Sequence, residues 1–450
     1  MLAHALAFGV LLSGPSNADD MSSREKYSFC TNWVTQAEAL NPDFVRYFPG
    51  ENGWMFTPGD FSPLPSPTDR DIEALRRLVT YLSSKGTKTV IVVPPTRGLV
   101  ASGAAGALRN RYAVANDDSI RRSYRSAIAN LRSTGATVPD LLAGIDEAKL
   151  PAINHFYRSQ DAHWRAEGAQ LSAKFVADTV KKAVDLSSFP KKSYVTKMTA
   201  TDPYRVSLLD ALSKICGKTV QAEIEPRYVT EQVGDDAGAG GLLESSKTPV
   251  VLVGTSFSRP DAAYNFSGFL SEYLAVDVLN VAIAGGGLET SMLSYLGSRD
   301  FADAPPAVLI WEVRPFELPT ADLIDQLMAT LAGGCAADKA LLTRSVPLQR
   351  GVTPLITLDQ KQRSALKGPL YVDIAARDTG LNKYTLRLSY TDFTEEDVEI
   401  DMTRAAFPPD HYFHPLPADR LKTLDSVSLR PAARSSGKVT VSVCPISRTS

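Results

Sequence analysis

Net charge is almost absent from this chain. Its 48 Lys and Arg residues against 50 Asp and Glu leave −2 at neutral pH, so no global field draws it to nucleic acid or an anionic membrane, and a polyanionic ligand must be met by a local patch. Long apolar runs are missing as well: beyond the N-terminus no stretch reaches the ~20 apolar residues of a membrane span. Cysteine is scarce. Cys30, Cys216, Cys335 and Cys444 are far apart and show no CxxC spacing, which disfavours zinc ribbons and thioredoxin chemistry. There is no P-loop or Rossmann glycine fingerprint, so no nucleotide cofactor is expected. Nor is there an internal repeat or a heptad pattern, which excludes solenoids and coiled coils.

What is present is an ordinary globular composition over 450 residues, more than one core comfortably holds, so two domains are expected. Residues 1–18 combine an apolar core from Leu2 to Leu12, the breakers Gly14 and Pro15, and the small-x-small triplet Ser16-Asn17-Ala18. That pattern predicts a cleaved signal peptide and a mature chain starting near Asp19; the alternative is a buried N-terminal helix. In an exported protein four cysteines suggest two disulfides, in any of three pairings. Two domains would favour Cys30–Cys216 in the first and Cys335–Cys444 in the second.

From Gly53 to about Phe316, helix-period and apolar-run segments alternate, as expected for a mostly parallel sheet covered by helices. Ile72, Leu75, Leu78, Val79 and Leu82 recur at helical spacing until Gly86. A second helix starts at a cap on Asp117 or Asp118 and ends at Gly135, and a third runs from about Ala166 to Val184. Thr89–Val93, Pro249–Val253, Asp277–Val281 and Ala307–Trp311 predict buried strands. Leu186 to Lys247 is irregular, with a Gly/Asp/Ala-rich loop over Gly234–Gly241. After Leu331 the texture changes to short alternating runs such as Tyr384–Tyr390 and Val439–Val443, which predict a small antiparallel β-sandwich.

Two segments carry chemistry. Ser256, in Gly254-Thr255-Ser256, follows a buried strand at its C-terminal end, where catalytic groups of open α/β sheets gather. A glycine two residues earlier permits a sharp turn, and the serine amide can face an oxyanion. Asp161-Ala162-His163-Trp164 precedes a helix. If extended, it projects Asp161 and His163 to the same side, so that the carboxylate orients the imidazole and the imidazole faces the serine. Two rival readings are a buried Asp/His pair that holds a helix start, and a metal site from Asp161, His163 and His155, for which no further ligand is apparent.

With Gly53-Trp54-Met55-Phe56 and Val93-Pro94-Pro95-Thr96-Arg97-Gly98 ahead of them and Ile310-Trp311-Glu312 behind, these segments resemble the alginate O-acetyltransferase AlgX/AlgJ family of SGNH-like proteins. The order also matches, with Asp-x-His upstream of the serine, permuted relative to ordinary SGNH hydrolases. The tail resembles the carbohydrate-binding module of the family's AlgX branch. The resemblance implies an α/β SGNH hydrolase-like parallel-sheet domain over residues 19–332 and an all-β sandwich carbohydrate-binding domain over 333–450. It further implies a periplasmic, cofactor-free, monomeric enzyme that acetylates an exopolysaccharide through a Ser256 ester, with His163 as base and Asp161 holding it. The acetyl group would come through a membrane-bound O-acyltransferase, alongside other polymer-secretion proteins. The pocket would draw on a second oxyanion donor from Gly285-Gly286-Gly287, centred on Gly286, and on Trp164, Tyr264 and Asn265; the alternatives are a plain tight turn at the glycines and core packing for Tyr264. Arg350, Lys383, Thr385 and Arg387 would meet an anionic or acetylated polymer. An exported carbohydrate esterase and a non-catalytic polymer-binding scaffold are the alternatives.

Overall fold

The structure, a computed structural model, describes residues 26–149, 156–234, 248–407, 409–432 and 435–446. The expected signal peptide, His155 and most of the Gly/Asp/Ala-rich loop lie outside the described residues. Strands are numbered in chain order.

A two-residue pair, β1 (Phe48–Pro49) and β2 (Met55–Phe56), precedes the main sheet. That sheet is formed by β3 (Lys88–Val92), β6 (Val250–Val253), β7 (Val278–Asn280) and β8 (Val308–Glu312), all parallel, in the order β3-β8-β6-β7. Every residue of β6 and β8 is buried, as both faces of a helix-covered parallel sheet require. The covering helices include Asp69–Ser84, Asp117–Arg132 and Ala166–Ala183. The second of these is capped by Asn116, whose side chain accepts from the Ser119 amide at 2.9 Å, one residue before the expected Asp117. Aspartates in the first turn then complement the helix dipole.

The stretch expected to be irregular holds the longest strands among the described residues. β4 (Ser193–Tyr204) and β5 (Glu223–Val233) form an antiparallel ribbon joined by helix Ser207–Cys216. One end of this ribbon lies against the loop that carries Asp161.

The C-terminal part is the expected sandwich. One antiparallel sheet contains β10 (Thr353–Thr357), β12 (Lys383–Tyr390), β13 (Glu395–Asp401) and β15 (Leu424–Pro431), in the order β10-β15-β12-β13. The other contains β9 (Leu342–Pro347), β11 (Leu370–Ala375), β14 (His411–Leu416) and β16 (Lys438–Pro445), in the order β14-β11-β16-β9. Alternate residues of β12 (Tyr384, Leu386, Leu388, Tyr390) point into the space between the sheets, the period-2 pattern of a half-buried strand.

The disulfides pair as the two-domain reading favours, Cys30 with Cys216 and Cys335 with Cys444. The first sits on a small satellite core of Trp33, Leu208, Leu209 and Leu212. Two disulfides suit an oxidising compartment. Among the described residues no helix is long and apolar enough to cross a membrane.

Candidate active site

Parallel strands deliver their C-terminal loops to one edge of the sheet, and the candidate residues meet there. Ser256 opens a short 3₁₀ turn, Ser256–Ser258, three residues after β6 ends. Thr255 caps that turn, its hydroxyl accepting from the Phe257 amide at 3.3 Å. Gly254 is not in the left-handed region, so the sharp-turn argument does not explain it. The reason is proximity: a Cβ there would lie 2.7 Å from Glu312 Oε2 and 3.0 Å from Glu312 Cβ.

Asp161 and His163 sit in a loop closed at its base by a bridge between Tyr157 and Trp164. The Arg158 amide donates to the His163 carbonyl at 3.1 Å and the Arg165 amide to the Phe156 carbonyl at 2.9 Å. The segment bends instead of extending as expected, and the Asp161 carboxylate accepts from the next amide, Ala162, at 2.7 Å. Buried Arg97 fixes the loop from below. Its Nη2 donates to the carbonyls of Met55, Arg158 and Ser159 at 2.9, 3.1 and 2.8 Å, and its guanidinium lies over Trp54 and Phe56. The two upstream motifs are thus the floor on which the Asp-x-His loop rests.

The three residues form one relay. Ser256 Oγ lies 2.7 Å from His163 Nε2, and His163 Nδ1 lies 2.9 Å from Asp161 Oδ2. This geometry fits an Nδ1–H tautomer that donates to the carboxylate and leaves Nε2 to accept from the serine hydroxyl. Burial alone would raise the Asp161 pKa. The charge and hydrogen bond of His163, the Tyr204 hydroxyl at 2.7 Å and Arg158 Nη1 at 3.3 Å outweigh it and hold the carboxyl well below the usual range. Arg158 is itself buried, stacks on the Tyr204 ring at 3.6 Å and faces buried Glu225 at 3.7 Å. Burial pushes Glu225 up to about 7 against the opposing pull of Arg158 and Arg165. Tyr204 and Glu225 belong to the ribbon, and neither is marked by its local sequence.

The expected pocket residues divide. Tyr264 is buried, its hydroxyl donates to the Ser256 carbonyl, and its ring is nearly parallel to the His163 ring, 6.3 Å away. Trp164 is fully buried and its Nε1 donates to the Phe257 carbonyl at 2.9 Å. It therefore ties the histidine loop to the serine turn and does not line an opening. Asn265 takes a left-handed φ of 51° that asparagine tolerates, and its Nδ2 donates to Thr230 Oγ1 at 2.8 Å, which anchors β5 instead of a ligand. The Gly286 amide donates to the Ile283 carbonyl at 3.3 Å. That turn bond occupies the group expected to meet the oxyanion.

The module residues are held by their own strand neighbours. Lys383 pairs with Asp401 at 2.6 Å, and Arg387 makes bonds of 2.7 and 2.8 Å to Asp397 and an ion pair of 2.7 Å with Glu395. Thr385 stands opposite Glu399. Arg350 lies in the loop before β10, separated from β12 by β15. The four residues therefore do not form one cationic patch. No group of His, Cys, Asp and Glu suited to a metal occurs among the described residues; His155 lies outside them.

Comparison with known proteins agrees with this architecture. The family model of the SGNH hydrolase-like domain of acetyltransferase AlgX matches residues 48–315. The alginate biosynthesis protein AlgX of Pseudomonas syringae pv. tomato is 34% identical over 406 residues, 88% of this chain and 82% of the relative. Among solved structures, Pseudomonas aeruginosa AlgX superposes with a TM-score of 0.70 at 26% identity, covering 93% of this chain and all of that one. The O-acetyltransferase domain of Pseudomonas putida AlgJ gives 0.50 at 25% identity, covering 64% and 98%. A sandwich that follows a parallel-sheet domain, with Asp161 and His163 upstream of Ser256, is accounted for by these matches together: the chain belongs to the AlgX family of SGNH hydrolase-like proteins.

Proposed function

We propose that this protein is a periplasmic O-acetyltransferase that passes acetyl groups through a Ser256 ester to hydroxyls of alginate or a similar exopolysaccharide. The observation that carries the reading is the unbroken Ser256–His163–Asp161 relay, with both links inside hydrogen-bond distance.

His163 Nε2 takes the hydroxyl proton as Ser256 Oγ attacks the acetyl carbonyl of the donor. When the tetrahedral intermediate collapses, the same nitrogen returns that proton to the leaving group, and the acetyl remains on Oγ. A sugar hydroxyl then gives its proton to Nε2 and attacks the ester, which frees the serine once its oxygen is reprotonated. Asp161, kept ionised by Tyr204 and Arg158, holds the imidazole and stabilises its positive form. The Ser256 amide is the proposed first oxyanion donor.

Residues 19–332 would carry the chemistry and residues 333–450 would hold polymer; Arg350, Lys383, Thr385 and Arg387 form no single patch, and Lys383 and Arg387 are already held by Asp401, Asp397 and Glu395, so polymer contact through this face would have to displace those partners. The uptake of acetyl groups from a membrane-bound O-acyltransferase, and assembly with polymer-secretion proteins, follow from the same family reading. The test is acetyl transfer from a chromogenic acetyl ester to mannuronate oligosaccharides, followed by mass spectrometry. Wild type should label the sugar, and Ser256→Ala should lose at least ~10³-fold in turnover. Acetate release by wild type without labelled sugar would assign an esterase. Equal activity in both proteins would overturn the relay.

A further inference from the structure

Glu312 is the last residue of β8, fully buried directly beneath the serine turn. A carboxylate in that position is costly. Among the described residues it has no ion pair with Lys or Arg. Its bonds instead come from the serine turn: it accepts from the Thr255 amide at 2.8 Å, the Thr255 hydroxyl lies 3.1 Å from both carboxylate oxygens, and the Ser258 hydroxyl also faces it. Thr255 in turn accepts from the Phe257 amide. The chain from Glu312 through Thr255 to Phe257 therefore brackets Ser256 on both sides. Gly254 leaves the space this carboxylate occupies. An apolar side chain at 312 would fill the core without the burial cost, so the fold alone does not account for a glutamate.

We propose that Glu312 is a positioning residue: acting through Thr255, its carboxylate fixes the turn that aims Ser256 Oγ at His163, and its charge favours the protonated His163 formed during transfer. This inference rests on Ser256 being the nucleophile. The titratable groups that interact with Glu312 are His163 and the buried hydroxyls of Tyr157 and Tyr264. Burial keeps both tyrosines protonated well above neutral pH, so neither adds a charge beside Glu312 while His163 takes and returns the proton of the transfer step. Burial also pushes Glu312 itself up to about 7, against the hydrogen bonds from Thr255 and Ser258.

The experiment is steady-state hydrolysis of a chromogenic acetyl ester across pH 5–9 by wild type, Ser256→Ala, Glu312→Gln, Thr255→Val and Thr255→Ser, with thermal unfolding checked for each. Because a displacement of about 1 Å costs on the order of 10²-fold, Glu312→Gln should lose ~10- to 100-fold in kcat with KM nearly unchanged, and the acid limb of its pH profile should move. Thr255→Val should fall in the same direction, and Thr255→Ser, which keeps the hydroxyl, should recover most of the loss. Wild-type kcat and pH profile in a folded Glu312→Gln would overturn the proposal. If Glu312→Gln does not fold, the Thr255 pair decides: equal kcat in Val and Ser variants overturns it. An active Ser256→Ala removes the nucleophile reading and this inference together. An inactive Ser256→Ala beside an unaffected Glu312→Gln removes only the latter.

Discussion

Carboxylates are used in opposite ways at the two ends of this molecule. Around Ser256, Glu225 and Glu312 are buried and Asp161 is half-buried, and all three are displaced from ordinary titration, Asp161 and Glu225 beside the shared Arg158 and Glu312 with no Lys or Arg partner among the described residues. On the outer face of β12 and β13, Glu395, Asp397 and Asp401 are exposed, and Arg387 or Lys383 lies against them in register. Exposed pairs of that kind contribute little to stability, because water and salt screen them and two long side chains must be ordered. Glu225 and Glu312, pushed up by burial, cost folding energy when ionised, so their retention needs a reason outside folding. A set of displaced carboxyls beside a serine and a histidine is a candidate functional centre, whereas a ladder of matched surface pairs is how a sheet keeps an outer face in water.

The comparison is broken most sharply by pH. Glu312 has a folded-state pKa raised to about 7 by burial, against about 4.3 for an unfolded glutamate. The folded protein therefore holds this proton more tightly. The associated stability is fully present below about pH 4.3 and is lost as pH rises through about 7, a change of about 4 kcal/mol by linkage. Glu312→Gln cannot ionise, so its melting temperature should gain on that of wild type between pH 5 and pH 8, even as its turnover falls. Scanning calorimetry of both proteins at the two pH values tests this; a constant gap would mean that Glu312 ionises in the fold without penalty.

A smaller effect is expected one step further from the serine. Tyr204→Phe removes one of the hydrogen bonds to Asp161 but leaves the Arg158 and His163 contacts in place. Removing a bond to a charged group costs about 1.5–3 kcal/mol where the group stays buried. Part of that should appear as a ~10-fold fall in kcat with KM unchanged. Because this bond also helps depress Asp161, the stability that Asp161 contributes above the unfolded carboxyl range should decline in the variant, and acid unfolding should begin at a higher pH. Steady-state kinetics and an acid titration followed by circular dichroism measure both.

The frame of the parallel sheet was legible in sequence because its strands are buried on both faces and so appear as unbroken apolar runs; Val250–Val253 and Val308–Glu312 fall within a residue or two of where composition puts them. The ribbon was not. Its apolar residues, such as Met198 and Ile224, are more than half exposed while Glu225 is buried, so the alternation of exposure along β4 and β5 does not follow hydrophobicity. Ser256, His163 and Asp161 were legible as residue types in context, although the Asp-x-His loop bends where extension was expected. Their supports were hidden for different reasons. Tyr204 lies 43 residues from Asp161 in the chain, and Arg158 reads locally as a surface cation. Glu312 was visible as a polar residue that closes an apolar run, but its role depends on Thr255, 57 residues away, and that contact exists only once β6 and β8 pair. Gly286 was expected as an oxyanion donor because a glycine loop permits close backbone approach, and Asn265 as a pocket residue, but backbone and ribbon contacts occupy both.

The least effect belongs to the module face. Arg387 is engaged by Asp397 and Glu395 on the adjacent strand, so a polymer carboxylate that approaches it must displace partners already in place. Arg387→Ala should therefore leave the melting temperature unchanged and alter mannuronate-oligosaccharide affinity no more than about two- to threefold at moderate salt. Asp397→Ala, which removes the bidentate partner while keeping the cation, should bind the same oligosaccharide more tightly than wild type. Isothermal titration with the three proteins distinguishes the outcomes. A tenfold or larger loss in Arg387→Ala, with no gain in Asp397→Ala, would show that the guanidinium serves the polymer despite its neighbours, and the contrast between a functional buried cluster and a merely solvated sheet face would no longer hold.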